Sequence, residues 1–258
     1  MTFRELHHRE GLPLLLPNAW DVPSALAFAE AGFPAVGTTS FGVAATAGRP
    51  DGARTTKDLT VALVRQLTPL DVHVSADVED GYDDDPERVA AYVASLGADG
   101  VNIEDSSAER LIDPRKHAAK IAAIKQRSPG VFVNARVDTY WLGQDATVSA
   151  SLQRALAYVE AGADGVFVPG ATEPADLREL AAGVPVPLNV LVVPALSLAE
   201  LGRLGVRRVS TGSLPYRAAV DAAVEVAASV RDGRPVPAAT PYPVMQERLV
   251  RYHESLGR

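Results

Sequence analysis

The chain has 258 residues, of which 47% are hydrophobic and 22% are charged, proportions typical of a folded globular protein. Its 32 acidic and 25 basic residues leave a formal charge of −7, which repels phosphate backbones and anionic lipids and argues against nucleic-acid or membrane partners. No cysteine is present, which excludes disulfides, thiolate metal sites and a cysteine nucleophile. The amino terminus lacks the apolar core of a signal peptide, and no apolar run approaches the length of about 20 residues that spans a bilayer. We therefore expect a cytoplasmic protein.

Short runs rich in Val and Ile alternate along the chain with Ala- and Leu-rich stretches of helical period, a pattern typical of parallel strands joined by crossover helices. A helix end, a glycine and a buried strand recur in that order at residues 30–40, 95–106, 160–170 and 203–213. The predicted strands are 13–17, 35–39, 72–76, 100–104, 131–135, 165–168, 187–192 and 207–210. The predicted helices are 23–31, 57–67, 86–96, 114–126, 147–161, 174–182, 197–204 and 214–230.

Eight such strand–helix units predict an α/β fold of the closed (β/α)₈ TIM barrel type, in which no strand edge is left exposed. The competing doubly wound sheet normally carries a glycine-rich turn after its first strand, and none follows LLLPNAWD. We predict that residues 1–230 form the barrel and catalytic domain. Residues 231–258 are predicted to form a tail with a short helix at 244–255, which packs on the barrel or on a partner subunit.

Polar residues follow several predicted strands, where a barrel of this type places its active site. Asp77 and Glu79 end the third strand, Glu104 ends the fourth, and Arg136 lies at the end of the fifth. Carboxylates crowded at one rim repel one another unless a cation or protons neutralise them, and oxygen atoms are the ligands that Mg²⁺ prefers. The pattern predicts a Mg²⁺ site with Asp77 as the direct ligand. The alternative is that the acids only cap helices and that Arg136 is an ordinary ion-pair partner.

The segment 37–52 is the second informative stretch. Thr39 and Ser40 supply hydroxyl groups directly after the second strand, and small residues beside Phe41 leave backbone N–H groups open to an anion. The alternative is a Ser/Thr turn that leads into an irregular loop. Asp51 lies in a Pro-Asp-Gly turn, and its composition by itself is that of an ordinary turn residue.

Six blocks together resemble the phosphoenolpyruvate mutase and isocitrate lyase superfamily. Between about residues 14 and 215 they read, in order, NAWDVPSALAFAEAGF, TTSFGVAATAGRPDG, SADVEDGYDDDPERV, GADGVNIEDS, VNARVD and PLNVLVVP. The resemblance implies a (β/α)₈ barrel whose eighth helix is exchanged with a neighbouring subunit, in a homodimer or homotetramer. It also implies Mg²⁺ as cofactor, and as substrates 2-oxo acids or 2-hydroxy acids that are cleaved to them.

The resemblance further implies a role for each matched residue. The metal site would consist of Asp77 as the direct ligand, with Glu79 and Glu104 holding the metal's waters. The substrate would be bound by Thr39, Ser40 and Phe41 at its carboxylate, by Arg136 at the reacting oxygen and by Asn189 at the far side of the pocket. The catalytic residues would be Arg136, Asp51 and Glu104.

The segment after the fourth-strand acids departs from the family pattern. Isocitrate and methylisocitrate lyases carry Lys-Lys-Cys-Gly-His there, with the thiol as acid or base, whereas this chain has SSAERLIDPRKH. Nor does it reproduce the lysine with asparagine or threonine of the mutases and phosphonopyruvate hydrolases. We expect a Mg²⁺-dependent lyase that forms a pyruvate enolate by C–C cleavage or decarboxylation of a small acid. The alternatives are a phosphonate mutase or hydrolase, and a non-catalytic protein that binds 2-oxo acids.

Overall fold

A computed structural model describes residues 1–256. The strands within this range are β1 Leu14–Leu16, β2 Asn18–Ala19, β3 Ala35–Thr38, β4 His73–Asp77, β5 Gly100–Glu104, β6 Ser106–Ser107, β7 Arg110–Leu111, β8 Phe132–Arg136, β9 Gly165–Phe167, β10 Leu188–Leu191 and β11 Val206–Ser210. The helices are α1 Phe3–Leu6, α2 Val22–Glu30, α3 Ser40–Thr46, α4 Lys57–Leu67, α5 Pro86–Leu96, α6 Pro114–Arg127, α7 Thr139–Leu142, α8 Val148–Glu160, α9 Pro174–Gly183, α10 Leu198–Arg203, α11 Leu214–Arg231 and α12 Tyr242–Ser255.

The large sheet closes into a barrel. Its strands pair in parallel in the order β1, β11, β10, β9, β8, β5, β4, β3, β2. The short strands β1 and β2 together form one strand of the barrel, interrupted at Pro17, and each of the barrel's eight strands is called a stave below. On one side of this stave Thr211 N–H donates to Leu16 O at 3.2 Å, and on the other Gly37 N–H donates to Pro17 O at 2.8 Å. Residues 1–256 therefore contain eight staves that alternate with helices, which confirms the predicted (β/α)₈ barrel.

Local signals in the sequence fix the starts of two barrel helices. The Asp85 carboxylate accepts the Glu87 N–H at 3.0 Å ahead of α5, and the Asp113 carboxylate accepts the Arg115 N–H at 2.9 Å ahead of α6. A proline follows each aspartate, where the missing N–H would have no helical partner. Gly97 ends α5 with φ of +68°, a backbone conformation that glycine adopts without a steric penalty.

Some short elements are absent from the sequence prediction. The alternative of an irregular loop after the second strand is wrong over residues 40–46, because these residues form α3. Thr39 caps this helix by accepting the Gly42 N–H at 3.4 Å, and its alanines favour helix. The helix α7 and the hairpin of β6 and β7 were also not predicted, since elements of two to four residues carry no periodic signal.

The two ends of the barrel differ. At the amino-terminal end of the strands, α1 places Phe3 and Leu6 in a buried cluster with Leu14, Leu16 and Phe132, and so closes the bottom. The tail helix α12 lies against the outside of the same chain, where the Tyr252 hydroxyl donates to Gln66 O at 2.9 Å. The last two residues of the predicted tail, 257 and 258, lie outside the described residues. Among the helices of residues 1–256, none is both long enough and apolar enough to cross a bilayer.

Buried histidines make the fold sensitive to acid. His117 on α6 is 0% exposed and packs edge-on against Tyr158 with ring centroids 4.6 Å apart. Neither ring nitrogen has a hydrogen-bond partner within residues 1–256. Burial lowers the pKa of His117 to about 3, well below the ordinary value of about 6.5. The ring is therefore neutral in the folded protein at all but strongly acidic pH.

We predict that His117→Leu weakens the dependence of the free energy of unfolding on pH in acid solution. Below pH of about 6.5 the unfolded chain binds a proton that folded His117 does not, so the free energy of unfolding falls with pH at up to about 1.4 kcal/mol per unit, down to pH of about 3. Urea unfolding between pH 7 and pH 4 should show this slope in the wild type and in the exposed control His253→Leu, and a smaller slope in His117→Leu. Equal slopes in all three proteins would contradict the assignment.

Candidate active site

A cavity of about 510 Å³ opens at the carboxyl ends of the barrel strands. It brings together side chains that are up to 199 residues apart in the sequence, from Asn18 to Arg217, because the barrel strands place their ends around one rim. Almost all of the predicted site residues line it, namely Thr39, Ser40, Phe41, Asp51, Asp77, Glu79, Glu104 and Arg136. The structure therefore brings these residues together in one cavity, whereas the site and the role of each residue stay predictions.

Asp77 ends β4 and is held in place from two neighbouring staves. Its backbone N–H donates to the Thr38 hydroxyl at 2.8 Å, and its carboxylate accepts the Ser40 N–H at 2.9 Å. The Asn102 amide approaches the other carboxylate oxygen at 3.4 Å. These contacts fix the direction of the carboxylate and leave it accessible from the cavity that it lines.

Glu79 follows β4 in a left-handed backbone conformation with φ of +47° and is only 3% exposed. Its carboxylate accepts the backbone N–H of Arg54 at 2.9 Å and also the Thr56 hydroxyl. Burial raises the pKa of Glu79, and these two hydrogen bonds oppose the rise. The loop that carries Asp51 is thereby tied to the end of β4.

Glu104, Arg136 and Asp138 form a buried chain of charges on two adjacent staves. The Arg136 guanidinium donates from Nη1 to Glu104 at 2.5 Å and from Nε to Asp138 at 2.6 Å. Burial raises the pKa of Glu104 well above its ordinary range, although the charge of Arg136 opposes the rise. Burial also works against the charge of Arg136, but Glu104 and Asp138 outweigh it and raise its pKa. Nη2 has no hydrogen-bond partner in residues 1–256 and is left for a ligand.

Asp51 lies at the mouth of the cavity, in the turn after α3. The protein around the carboxyl group raises its pKa by partial desolvation, and the negative charge of Asp77 adds to the rise. Asp51 and Asp77 both line the same cavity. Asp51 is thus part of the cavity lining as well as a turn residue.

The acids at this rim fall into two groups by their ion pairs. Asp80 pairs with Arg54 and with Lys120 at 3.7 Å, and Asp105 pairs with Arg154 at 2.5 Å. By contrast Asp51, Asp77 and Glu79 have no cationic side chain within 4 Å in the described chain, and all three line the cavity. Three carboxylates that share a cavity without a cation repel one another and disfavour the fully ionised state.

A divalent cation fits this donor set. All the available donors are carboxylate, hydroxyl and amide oxygens, which suit Mg²⁺. Over residues 1–256 no three acidic or histidine side chains converge as a preformed cage. Such an arrangement suits an ion that keeps several of its waters and takes one or two protein ligands. Asp77, which is held firmly and faces the cavity, is the residue best placed to contact it directly.

Asn189 is the predicted site residue that does not line the cavity. It lies in β10, is 1% exposed, and its amide donates to the Ser210 hydroxyl at 3.1 Å. Ser210 itself lines the cavity. Any effect of Asn189 on a ligand would therefore pass through Ser210, and its predicted role in binding remains a prediction.

The structure gives contacts to polar residues for which the sequence predicted no role. Asp138 is 0% exposed and accepts hydrogen bonds from both Arg136 and the Ser106 hydroxyl, the latter at 2.5 Å. Asn102 accepts the Asn134 amide at 3.0 Å beneath the acids. Two asparagines inside otherwise apolar strands are a signal that could have been used, because a buried amide needs a partner.

One side of the cavity is apolar. Its lining here consists of Trp141, Leu142, Phe167, Pro169, Leu191, Val192 and Pro194. The Trp141 ring lies 5.6 Å from the Arg136 guanidinium carbon, and the Phe167 ring lies 5.9 Å from it. Aromatic faces at this distance stabilise a cation and limit the water that reaches it.

The segment that departs from the family pattern begins with a short hairpin. Ser106 and Ser107 pair with Arg110 and Leu111 in antiparallel register, and Ala108 and Glu109 at the tip have positive φ. Four residues of the hairpin line the cavity, namely Ser106, Ser107, Ala108 and Glu109. The Gln144 side chain fastens the hairpin by donating to Glu109 O at 2.9 Å. The hairpin supplies hydroxyl groups and one carboxylate to the cavity, but no thiol.

Comparisons with known proteins agree with this geometry. A sequence model of the family described as phosphoenolpyruvate phosphomutase matches residues 3–231. The chain belongs to the phosphoenolpyruvate mutase and isocitrate lyase superfamily. This confirms the resemblance drawn from the six sequence blocks.

Individual members of the superfamily resemble the chain to different degrees. It is 58% identical to the uncharacterized protein Rv1998c of Mycobacterium tuberculosis over 252 residues, 98% of this chain and 97% of that one. It is 31% identical to the 2-methylisocitrate lyase of Salmonella typhimurium over 226 residues, 80% of this chain and 75% of that one. A phosphonopyruvate hydrolase solved with oxalate and Mg²⁺ matches with a TM-score of 0.82 at 24% identity, over 98% of this chain and 95% of that one.

Proposed function

We propose that the protein is a Mg²⁺-dependent lyase that forms a pyruvate enolate by C–C cleavage or decarboxylation of a small 2-oxo or 2-hydroxy acid. The observation that carries the proposal is the charge arrangement at the rim. Asp51, Asp77 and Glu79 face the cavity without a cation, while Arg136 approaches it with Nη2 unpaired in the described chain. A cation site beside a fixed guanidinium is what a developing enolate oxygen requires.

The substrate carboxylate would be held at the start of α3. Thr39, Ser40 and Phe41 line the cavity there, and they offer hydroxyl and backbone N–H donors of the kind that bind carboxylates. The Ser40 N–H already holds the carboxylate of Asp77 at 2.9 Å. The substrate carboxylate and the proposed metal ligand are therefore neighbours, which suits a 2-oxo acid that bridges the two.

Arg136 would stabilise the negative charge that develops on the substrate oxygen. Its guanidinium is fixed by Glu104 and Asp138 before any substrate arrives, so no reorganisation is needed as the oxygen becomes charged. Mg²⁺ bound through Asp77, with Glu79 and Glu104 on its waters, would supply a second positive charge to the same oxygen. Asp51, which lines the same cavity, would exchange a proton with the enolate carbon.

The hairpin of β6 and β7 bears on the bond that is broken. Without a thiol, it offers no equivalent of the acid or base found in the cysteine-containing lyase loops, whereas loss of carbon dioxide needs no enzyme acid at that position. Among the reactions of this class, decarboxylation is therefore the one that the residues present serve most directly. The similarity to a 2-methylisocitrate lyase and to a phosphonopyruvate hydrolase supports the shared enolate chemistry rather than one substrate.

The proposal predicts turnover that requires a divalent cation. Purified protein with Mg²⁺ should release pyruvate from at least one member of a panel of 2-oxo and 2-hydroxy dicarboxylates and phosphonates, and EDTA should abolish this release until Mg²⁺ is restored. Coupled detection of pyruvate, glyoxylate and inorganic phosphate identifies the bond broken. Binding of a 2-oxo acid with no turnover of any candidate would instead favour a non-catalytic binding protein.

The role of Arg136 predicts a specific kinetic defect. Arg136→Ala removes a donor aimed at the developing oxyanion, so kcat should fall about 10²–10³-fold. The thermal melting temperature reports whether the loss of the buried ion pairs has disturbed the fold. Arg115→Ala, which removes a guanidinium that is 92% exposed and remote from the cavity lining, is the control and should leave kcat unchanged. An Arg136→Ala enzyme with undiminished kcat would exclude Arg136 from the reaction.

Members of the superfamily are oligomers, and we propose a homodimer or homotetramer in which α11 is shared between subunits. Only Ser229 of this 18-residue helix is buried, whereas Val220 is 47%, Val224 64% and Val230 65% exposed. An apolar helix face of this kind is normally covered. Val224→Glu should shift the mass measured by sedimentation equilibrium toward that of one chain, and a wild-type protein of monomer mass would contradict the proposal.

Location in the cytoplasm stays a prediction from the sequence.

A further inference from the structure

Arg208 is a buried cation that the proposed chemistry does not use. It lies in β11 between the exposed Arg207 and the buried Val209, and it is 2% exposed. Its side chain points into the barrel and contributes to the lining of the cavity. Below the mouth of the cavity the same region is lined by Ser75 and Asn102, so Arg208 belongs to a polar floor.

The charge of Arg208 is not compensated. Nε donates to the Ser210 hydroxyl at 3.2 Å, and Nη1 is buried with no partner within residues 1–256. No carboxylate of the described chain lies within 4 Å of it. The negative charge of Asp77 favours the charged form of Arg208, but from a distance and without a direct contact. Burial lowers the pKa of Arg208 to about 9, so the guanidinium still carries its charge at neutral pH.

The other buried or half-buried arginines of this region all have carboxylate partners. Arg54 pairs with Asp80, Arg136 with Glu104 and Asp138, and Arg154 with Asp105. Proteins keep buried charges paired because an unpaired one is strongly disfavoured. Arg208 is thus an exception that faces a cavity large enough to hold a small anion.

A buried water would not remove this anomaly. His7 Nε2 and Ser75 Oγ are also buried without partners in the described residues, and ordered waters commonly satisfy such atoms. Such a water would supply a hydrogen bond but no negative charge. The uncompensated charge therefore points to an anionic group that enters with a ligand.

The other residues that line the cavity show which side chain could bind a second acid group of a ligand. Phe167, Leu191 and Val192 line the side of the cavity away from the carboxylate loop, and none of them can hold an acid group. Arg217 on α11 also lines the cavity, but it is an exposed residue near the mouth. Within the buried part, an acid group remote from Thr39 and Ser40 finds its unpaired cation at Arg208.

We propose that Arg208 is the residue that binds the second acidic group of the substrate, a carboxylate or a phosphonate, and that its charge discriminates against monocarboxylates. This inference rests on the proposed function, because the first carboxylate is taken to bind at the start of α3. Arg208 would act as a specificity determinant and would leave the enolate chemistry to Arg136.

The test compares two ligands that share a 2-oxo acid head. In 2-oxobutyrate a methyl group stands where oxaloacetate has its second carboxylate, and 3,3-difluorooxaloacetate keeps that carboxylate. Isothermal titration with Mg²⁺ present measures the dissociation constant of each for the wild type, Arg208→Met, Arg217→Met and the control Arg207→Met, whose arginine is the exposed neighbour on the same strand. Arg208→Gln serves as a second variant if Arg208→Met does not fold.

The wild type should prefer the dianion. Arg208→Met should weaken binding of the dianion by about 30-fold or more, the scale expected when a buried charge loses its partner, and binding of 2-oxobutyrate by less than about threefold. Arg207→Met and Arg217→Met should keep the preference. The melting temperature of ligand-free Arg208→Met should not fall, because an unpaired buried charge is removed.

Equal weakening of both ligands by Arg208→Met, no weakening of either, or a loss of preference that follows Arg217 instead would overturn the assignment of Arg208. These outcomes leave the proposed function standing. A wild-type protein that binds neither 2-oxo acid would contradict the proposed function itself, and with it this inference.

Discussion

Repulsion between carboxylates at one rim of the barrel is the constraint from which the rest of the site follows. The (β/α)₈ fold brings the ends of separate staves together, and this chain places an acid at several of them. Asp51, Asp77 and Glu79 meet in the cavity without a cation, and the pKa values of Asp51 and Glu79 rise chiefly because desolvation disfavours their charged forms. The arrangement favours the uptake of positive charge, as a cation or as protons.

The surrounding ion pairs confine this shortage of positive charge to the acids that face the cavity. Asp80 and Asp105 follow the ends of two of the same strands, but each has its own cation, the buried Lys120 and the partly buried Arg154 respectively. Glu104 shares Arg136 with Asp138. The fold therefore neutralises the acids that position the staves and leaves uncompensated those that face the cavity. The unpaired Arg208 on the floor is the complementary case, since it lacks a negative charge where the rim lacks a positive one.

Most of the barrel could be predicted from the sequence, because each unit carries its own signals. The Asp-Pro starts of α5 and α6, the left-handed Gly97 and the buried apolar runs are local features that tertiary packing did not override. The short helix α3 could not be distinguished from a loop, since seven residues without a long apolar period fit both. The position of the site followed from the fold, as polar residues after parallel strands must meet at one edge.

Other features of the site depend on contacts that a single sequence does not display. Arg207 and Arg208 are adjacent and identical in type, yet one is exposed and the other faces the cavity. In a strand covered on both faces, the alternation of polar and apolar residues gives little indication of which arginine faces the cavity. The settings of Asn189 and Asp138 also depend on contacts between residues that are far apart in the sequence. The Asn189 amide donates to Ser210, 21 positions away, and the Ser106 hydroxyl donates to Asp138, 32 positions away.

The measurement that tests the central claim most directly is calorimetric titration of the ligand-free protein with Mg²⁺, in parallel for the wild type, Asp77→Asn and the control Asp71→Asn, whose aspartate is exposed in a loop before β4. The charge arrangement predicts one Mg²⁺ per chain in the wild type and in the control, and affinity at least about tenfold weaker in Asp77→Asn, since a direct carboxylate ligand becomes an amide. No binding to the wild type, or equal affinity in all three proteins, would contradict a shared cation at the barrel rim.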